Sequence, residues 1–252
     1  MIQELETLRE MSHKNIIRLH EFIERQEKEK FYLVMDYIKG GSVADKIKLS
    51  KTGLPAETAR VYFRQLLSVI HYCHEVKNIA HRDIKPDNMM IGSDGSIVVC
   101  DFGISQSFQD ENDLIHDSNG TIGFLSPEVF KSGNSKQVRC RQLDIWACGV
   151  TLYNMLTNTF PFEGKNIFQL QANILTEEAK LERIKDSQIK DLLSLILNKD
   201  PEKRIQIYEL LQHPWVTNDG AEEVSLDLVS ASEYTQTDSL TEDIILSQEG
   251  IE

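Results

Sequence analysis

Scarcity is the first guide to this chain. Only four of its 252 residues are cysteines (Cys73, Cys100, Cys140 and Cys148), and no two form a CxxC pair. That spacing excludes a dense disulfide framework and suits free thiols in a reducing compartment, so a cytoplasmic location is the default expectation. Basic charge is also short: 27 Lys and Arg face 40 Asp and Glu, a net charge of −13. Nucleic acid is therefore not an expected partner, because binding phosphates needs a basic surface. The imbalance is local. Residues 218–252 hold ten acidic residues and no Lys or Arg, leaving 30 acids against 27 bases in the body. No N-terminal stretch joins basic residues to a long apolar run, which argues against a secretory leader. The longest uncharged run, Ile145 to Phe162, contains Asn154, Asn158, three threonines and Pro161. It is too polar for a membrane span and reads as a buried helix, so no membrane partner is expected.

What is present divides into short elements. Met1–Met11 places Ile2, Leu5, Leu8 and Met11 on one helical stripe. Asn15–Phe22 and Phe31–Ile38 read as antiparallel strands around a charged turn, and Lys39-Gly40-Gly41-Ser42 ends the second. Pro55–Val76 reads as a helix burying Ala59, Tyr62, Leu66, Leu67, Ile70 and Cys73. Ser93-Asp94-Gly95 within Ile91–Cys100 is a hairpin turn. A polar loop follows Phe102-Gly103 as far as Gly120. Helices are expected over Leu143–Leu156, Ile167–Leu175, Asp186–Leu197 and Ile205–Leu211. Beyond Gly220 the composition turns acidic and Ser/Thr-rich, and disorder is expected there. His71-Tyr72-Cys73-His74 has the look of a metal cluster. On a helix, however, Cys73 leaves the face shared by the two histidines, and a core role is the better reading.

The chemistry-bearing residues are concentrated. His81-Arg82-Asp83-Ile84-Lys85-Pro86-Asp87-Asn88 is followed, after the hairpin, by Asp101-Phe102-Gly103. An Asp, a Lys two residues on, an Asn five residues on and a second Asp before Phe-Gly form a set suited to phosphoryl transfer. That reaction needs a base to orient the attacking hydroxyl, a cation on the moving phosphate and two oxygen ligands for Mg²⁺.

These residues resemble the protein kinase family, and the HRDxKPxN form is similar to its Ser/Thr branch. The resemblance implies an α+β, kinase-like fold: a mainly helical large lobe over residues 39–217 and a partial small lobe of one helix and a β-hairpin over 1–38. Residues 218–252 would form an acidic, disordered tail. It implies ATP and Mg²⁺ as cofactors and a protein as substrate. Asp83 would be the catalytic base, Lys85 would hold the γ-phosphate, and Asn88 and Asp101 would ligate Mg²⁺. Gly120-Thr121 and Ser126-Pro127-Glu128 resemble the close of the activation loop, with Ser where Ala is usual. Thr121 would bond Asp83 and Lys85, Glu128 would pair with Arg204, and Asp144 would hold the catalytic-loop backbone. Glu4 would be the ion-pairing Glu of the small-lobe helix. Leu8, Leu19, His81 and Phe102 would stack as a spine between the lobes. Met35 would line the back of the ATP pocket, Met90 would lie under the adenine, and the Asp36 carbonyl and Ile38 amide would meet its edge.

The family's Gly-rich loop and strand Lys precede the position of Glu4, and neither motif occurs in these 252 residues. The resemblance therefore implies a truncated kinase whose activity is doubtful, with a catalytically weak scaffold or docking module as the alternative. Ile104-Ser105-Gln106-Ser107-Phe108, Pro161-Phe162-Glu163-Gly164 and His213-Pro214-Trp215 are similar to calcium/calmodulin-dependent protein kinase kinases, which phosphorylate other kinases. A tail without Lys or Arg does not support calmodulin binding. Asp117, near where many kinases carry a phosphorylated Thr, is expected to offer Arg82 a permanent negative charge, with Ser118 as an alternative phosphosite.

Overall fold

The structure, a computed structural model, describes residues 9, 11–25, 30–109, 113–116, 119–132 and 137–226. The helix expected over Met1–Met11, with Glu4 and Leu8, lies almost wholly outside these, as do Asp117 and Ser118.

Two antiparallel strands, β1 (Leu19–Arg25) and β2 (Lys30–Met35), form the described sheet of the small lobe. β1 begins later than its apolar run suggests. Ile16 and Ile17 are drawn away to Val99: Ile17 N–H donates to the Val99 carbonyl at 2.9 Å, and Val99 N–H donates to that of Asn15 at 2.7 Å. The first apolar residues thus stitch the small lobe to the large one instead of extending the hairpin.

The large lobe is built on helices. α1 (Val43–Leu49) starts at Ser42, whose hydroxyl accepts the Asp45 N–H at 3.0 Å while Asp45 returns the bond to the Ser42 N–H at 3.1 Å. This reciprocal cap satisfies two amides that would otherwise be unpaired at the helix start. The sequence reading treats this stretch only as a strand break. α2 (Ala56–His71) buries Ala59, Tyr62, Phe63, Leu66, Leu67 and Ile70, the helical spacing of its apolar residues, and widens into a π turn over Tyr72–Val76. Strand β3 (Ile79–Ala80) and the hairpin β4 (Met89–Ile91) and β5 (Ile97–Val99) follow, the latter turning where Ser93-Asp94-Gly95 predicts.

The stretch read as one polar loop holds two short strands. β6 (Gln106–Ser107) pairs with β3, and β7 (Leu114–Ile115) pairs with β8 (Val138–Arg139). Ladders of two residues with distant partners leave no periodicity to read. Between them a short α3 (Pro127–Ser132) was also not anticipated.

The uncharged run becomes α4 (Cys140–Thr157), buried along nearly its whole length. α5 (Ile167–Thr176), α6 (Ser187–Ile196, capped by Asp186), α7 (Ile207–Gln212) and α8 (Pro214–Thr217) complete the lobe. Gly149 lets α4 and α6 touch, since a Cβ there would stand 2.4 Å from Ile196 Cγ2. One apolar core runs from Leu19 through α2, α4 and α6 to Val216.

The expected boundary of the tail at residue 218 falls inside an anchored strap. Arg60 donates to Asn218, Arg64 pairs with Glu222, Lys14 Nζ reaches Ser225 Oγ at 3.2 Å and Val224 packs on the core. These cations sit on α2 and beside it, so acidic composition here supplies attachment and not disorder. Residues 227–252 lie outside the described residues.

Candidate active site

α4 positions the catalytic loop from below. Asp144, wholly buried, accepts the His81 N–H through Oδ2 and the Arg82 N–H through Oδ1, at 2.8 and 2.7 Å. His74 Nε2 lies 2.8 Å from the same Oδ2. Burial pushes the Asp144 carboxyl up, but the hydrogen bond and charge of His74 outweigh it and hold the group below the usual carboxylate range. The two amides fix a backbone that would not otherwise choose its shape: Arg82 has φ +70°. A non-glycine residue in that region costs about 1–3 kcal/mol unless its surroundings enforce it.

His81 joins the two halves of the motif. Its Nε2–H donates to the Cys100 carbonyl at 3.1 Å, and Nδ1 accepts the Asp83 N–H at 3.3 Å. Burial holds this ring below its ordinary value, so it is neutral with the proton on Nε2, as both bonds require. Its ring centroid lies 4.4 Å from that of Phe102, and Leu19 is buried in the same core.

Above this base, three side chains close a ring and a fourth joins it at Asp83. Lys85 Nζ donates to Asp83 Oδ2 at 2.5 Å and to Thr121 Oγ1 at 2.8 Å, and Thr121 Oγ1 donates to Asp83 Oδ1 at 2.7 Å. Asn88 Nδ2 donates to the Asp83 carbonyl at 2.9 Å and to its Oδ2 at 3.0 Å. Burial would raise the Asp83 carboxyl, yet the bonds from Lys85 and Thr121 hold it lower than usual. At neutral pH it is an anion with its oxygens aimed by neighbours.

Asn88 thereby commits its amide nitrogen, while its Oδ1 takes no part in these bonds. The Cys100 N–H donates to the Asn88 carbonyl at 2.9 Å, which fixes the register between Asn88 and Asp101, the next residue. Asp101 is exposed, has φ +64° and accepts a long bond from Gly103 N–H at 3.4 Å. One amide oxygen and one carboxylate are the hard donors a small divalent cation takes, so the residues present fit Mg²⁺. Cys100 Sγ bonds the Asn88 carbonyl at 3.4 Å, and burial pushes its thiol up to about 11.

The side expected to take a nucleotide is more open. Met35, expected at the back of the pocket, is 42% exposed, because among the described residues nothing covers this face of the two-stranded sheet. Asp36 N–H donates to the Arg18 carbonyl at 3.2 Å, and its carboxylate meets His20 at 2.6 Å. Ile38 and Met90 are half-buried. Gly40 seats the following turn directly on β4, since a Cβ there would lie 2.2 Å from the Ile91 carbonyl oxygen.

Beyond the ring, Glu128 and Arg204 meet in a bidentate pair at 2.7 and 2.9 Å, with Arg204 also donating to the Gln142 and Asn198 carbonyls and lying over Trp146. Arg82 reaches the Ile104 carbonyl and Gln106. Glu4 and Asp117 lie outside the described residues. The partner of Asp144, His74, escaped the sequence reading because its role depends on a residue 70 positions away.

Comparison with known proteins supplies the remaining constraint. The protein kinase domain family matches residues 1–216. Among curated relatives, serine/threonine-protein kinase ppk34 of Schizosaccharomyces pombe is 35% identical over 219 residues, 86% of this chain and 61% of its own. CBL-interacting serine/threonine-protein kinase 20 of Arabidopsis thaliana is 33% identical over 244 residues, covering 96% of this chain and 53% of its own. CBL-interacting protein kinase 21 of rice (Oryza sativa subsp. japonica) is 36% identical over 220 residues, 86% of this chain and 40% of its own. The chain thus spans only 40% to 61% of the length of these relatives.

Proposed function

The chain belongs to the protein kinase domain family, whose members of this type are serine/threonine kinases, and on that premise we propose that it transfers the γ-phosphate of ATP to a protein Ser or Thr hydroxyl. The observation that carries this reading is the closed ring of Asp83, Lys85 and Thr121, with Asn88 bonded to Asp83 beside it. Asp83 orients the attacking hydroxyl and takes its proton. Lys85 neutralises the moving phosphoryl oxygens. Thr121 ties the substrate-binding segment to the same carboxylate. Asn88 Oδ1 and Asp101 would hold Mg²⁺, which when bound would screen the charge on the phosphates. The Asp36 carbonyl and Ile38 amide would meet the adenine edge, with Met35 lining the back of the pocket and Met90 under the ring. Glu4 supplies the small-lobe carboxylate, Asp117 a standing charge for Arg82, and Asp144 and the Glu128–Arg204 pair hold the loops in place.

The resemblance to calcium/calmodulin-dependent protein kinase kinases favours other kinases as substrates. Transfer of labelled phosphate to a kinase bearing its own activation loop tests the reading. Asp83→Asn should lower the rate about 10²- to 10⁴-fold, and activity that survives this change contradicts the assigned base.

A second reading draws on one observation. Tyr32, Leu33, Val34 and Met35 are each 42–44% exposed on β2. A contiguous apolar strand edge suits a docked protein. On that reading the chain is a catalytically weak docking module, and the Asp83→Asn variant would retain its partner binding.

A further inference from the structure

The segment from Asp101 to Glu128 is moored on the first turn of α4. Phe108 lies under the Arg141 guanidinium, 4.6 Å from carbon to ring centroid. Arg141 also donates to the His74 carbonyl at 3.3 Å, where α2 ends. Asp113 comes next. Its side chain is 3% exposed, and it accepts the Arg141 N–H through Oδ2 and Arg139 Nη1 through Oδ1, both at 3.2 Å. Its carbonyl accepts the Cys140 N–H at 2.9 Å.

α4 has no side-chain cap of its own, because Arg139 occupies the N-cap position. Asp113 provides one from outside the helix, its side chain accepting the Arg141 amide and its carbonyl the Cys140 amide at the positive end of an 18-residue helix. A carboxylate so deeply buried is costly without such partners. Arg139 then passes its Nε to Glu202 at 2.8 Å, two residues from the Arg204 that holds Glu128. Both ends of the stretch 113–128 are therefore tied, directly or through Arg139, to the turn Asp200–Arg204. Thr121 lies between those moorings, and Asp144, on the same end of α4, fixes the catalytic loop it must meet.

We propose that Asp113 is a positioning residue of the phosphoryl-transfer site: by capping α4 it holds the segment at the height that sets Thr121 on Asp83 and Lys85, without a phosphoryl group on the segment. The inference rests on the kinase reading only for its kinetic consequence. The latch itself is a property of the unmodified chain.

The test uses the full chain, treated with phosphatase, as wild type, Asp113→Ala and Asp113→Asn. Hydrogen exchange is followed at residues 113–116, 119–124 and 138–141, and kinetics are measured against both substrates. In Asp113→Ala, exchange in these stretches should rise about ten- to hundredfold, as expected for loss of hydrogen bonds to a charged acceptor. KM for the protein substrate should rise while KM for ATP stays constant. Asp113→Asn keeps an oxygen for the Arg141 N–H and should fall between the two. Wild-type exchange in these stretches, an equal rise throughout the chain, or a parallel rise in both KM values overturns the proposal. A wild type that transfers no phosphate refutes the proposed function and leaves the exchange rates to decide the latch.

Discussion

Replacing Glu128 with alanine strips the partner from one of the most enclosed cations in the molecule. The Arg204 side chain is fully buried and makes two bonds to Glu128, one to the Gln142 carbonyl and one to the Asn198 carbonyl. The two carbonyls remain after truncation, and so does the Trp146 face 5.1 Å away, but none of these carries a negative charge. Breaking one side of a buried pair costs about 3–5 kcal/mol, because the remaining ion keeps its desolvation penalty without its counter-charge. For a domain of this size that corresponds to a fall in Tm of about 6–20 °C. Thermal and urea unfolding followed by circular dichroism reads the effect. The double variant Glu128→Leu with Arg204→Met should recover most of the loss, since it removes both ions together. A Glu128→Ala protein within about 1 kcal/mol of wild type would refute the reasoning, because the pair would then carry no more than a surface contact.

Three further outcomes follow from other sites. His13, buried beside Ser68 with its Nδ1 accepting the Asn15 N–H, is held at about 4 by burial, with Lys14 adding to the effect. The folded state therefore binds fewer protons than the unfolded chain between about pH 4 and 6.5; stability is fully present above that window and falls on acidification through it, by on the order of 3 kcal/mol, and His13→Gln should flatten this limb in urea titrations at several pH values. Ser126 is 1% exposed, and its hydroxyl has no partner among the described residues, so Ser126→Ala should raise stability by about 1 kcal/mol in denaturant unfolding. Gly149→Ala forces a methyl onto Ile196 and should lower stability by about 1–3 kcal/mol by the same measurement.

The large lobe was legible wherever burial imposes a period. Ala59, Tyr62, Leu66, Leu67 and Ile70 announced α2, and the uncharged run announced α4. The elements that escaped owe their existence to partners elsewhere. β7 has two residues and exists because β8 lies beside it; α1 is seven residues long and rests on the Ser42–Asp45 cap. At the site, Asp83, Lys85, Asn88 and Asp101 stood out because a fixed local spacing carries them. Asp113 and His74 did not, since each works through a residue at least 26 positions away, and no local pattern encodes that distance. The strap at 218–226 is illegible for a related reason: composition does not show that Arg60 meets Asn218, Arg64 meets Glu222 and Lys14 meets Ser225.

The tether from Asp144 to the amides of His81 and Arg82 also governs how the centre responds to heat. A surface turn ordinarily loosens by degrees as temperature climbs, well before the protein melts. Here the turn's backbone is tied at two amides to a helix buried along nearly its whole length. Warming should leave the reactive geometry intact up to the melting transition and then abolish it at one stroke, with no intermediate range of blunted but folded molecules.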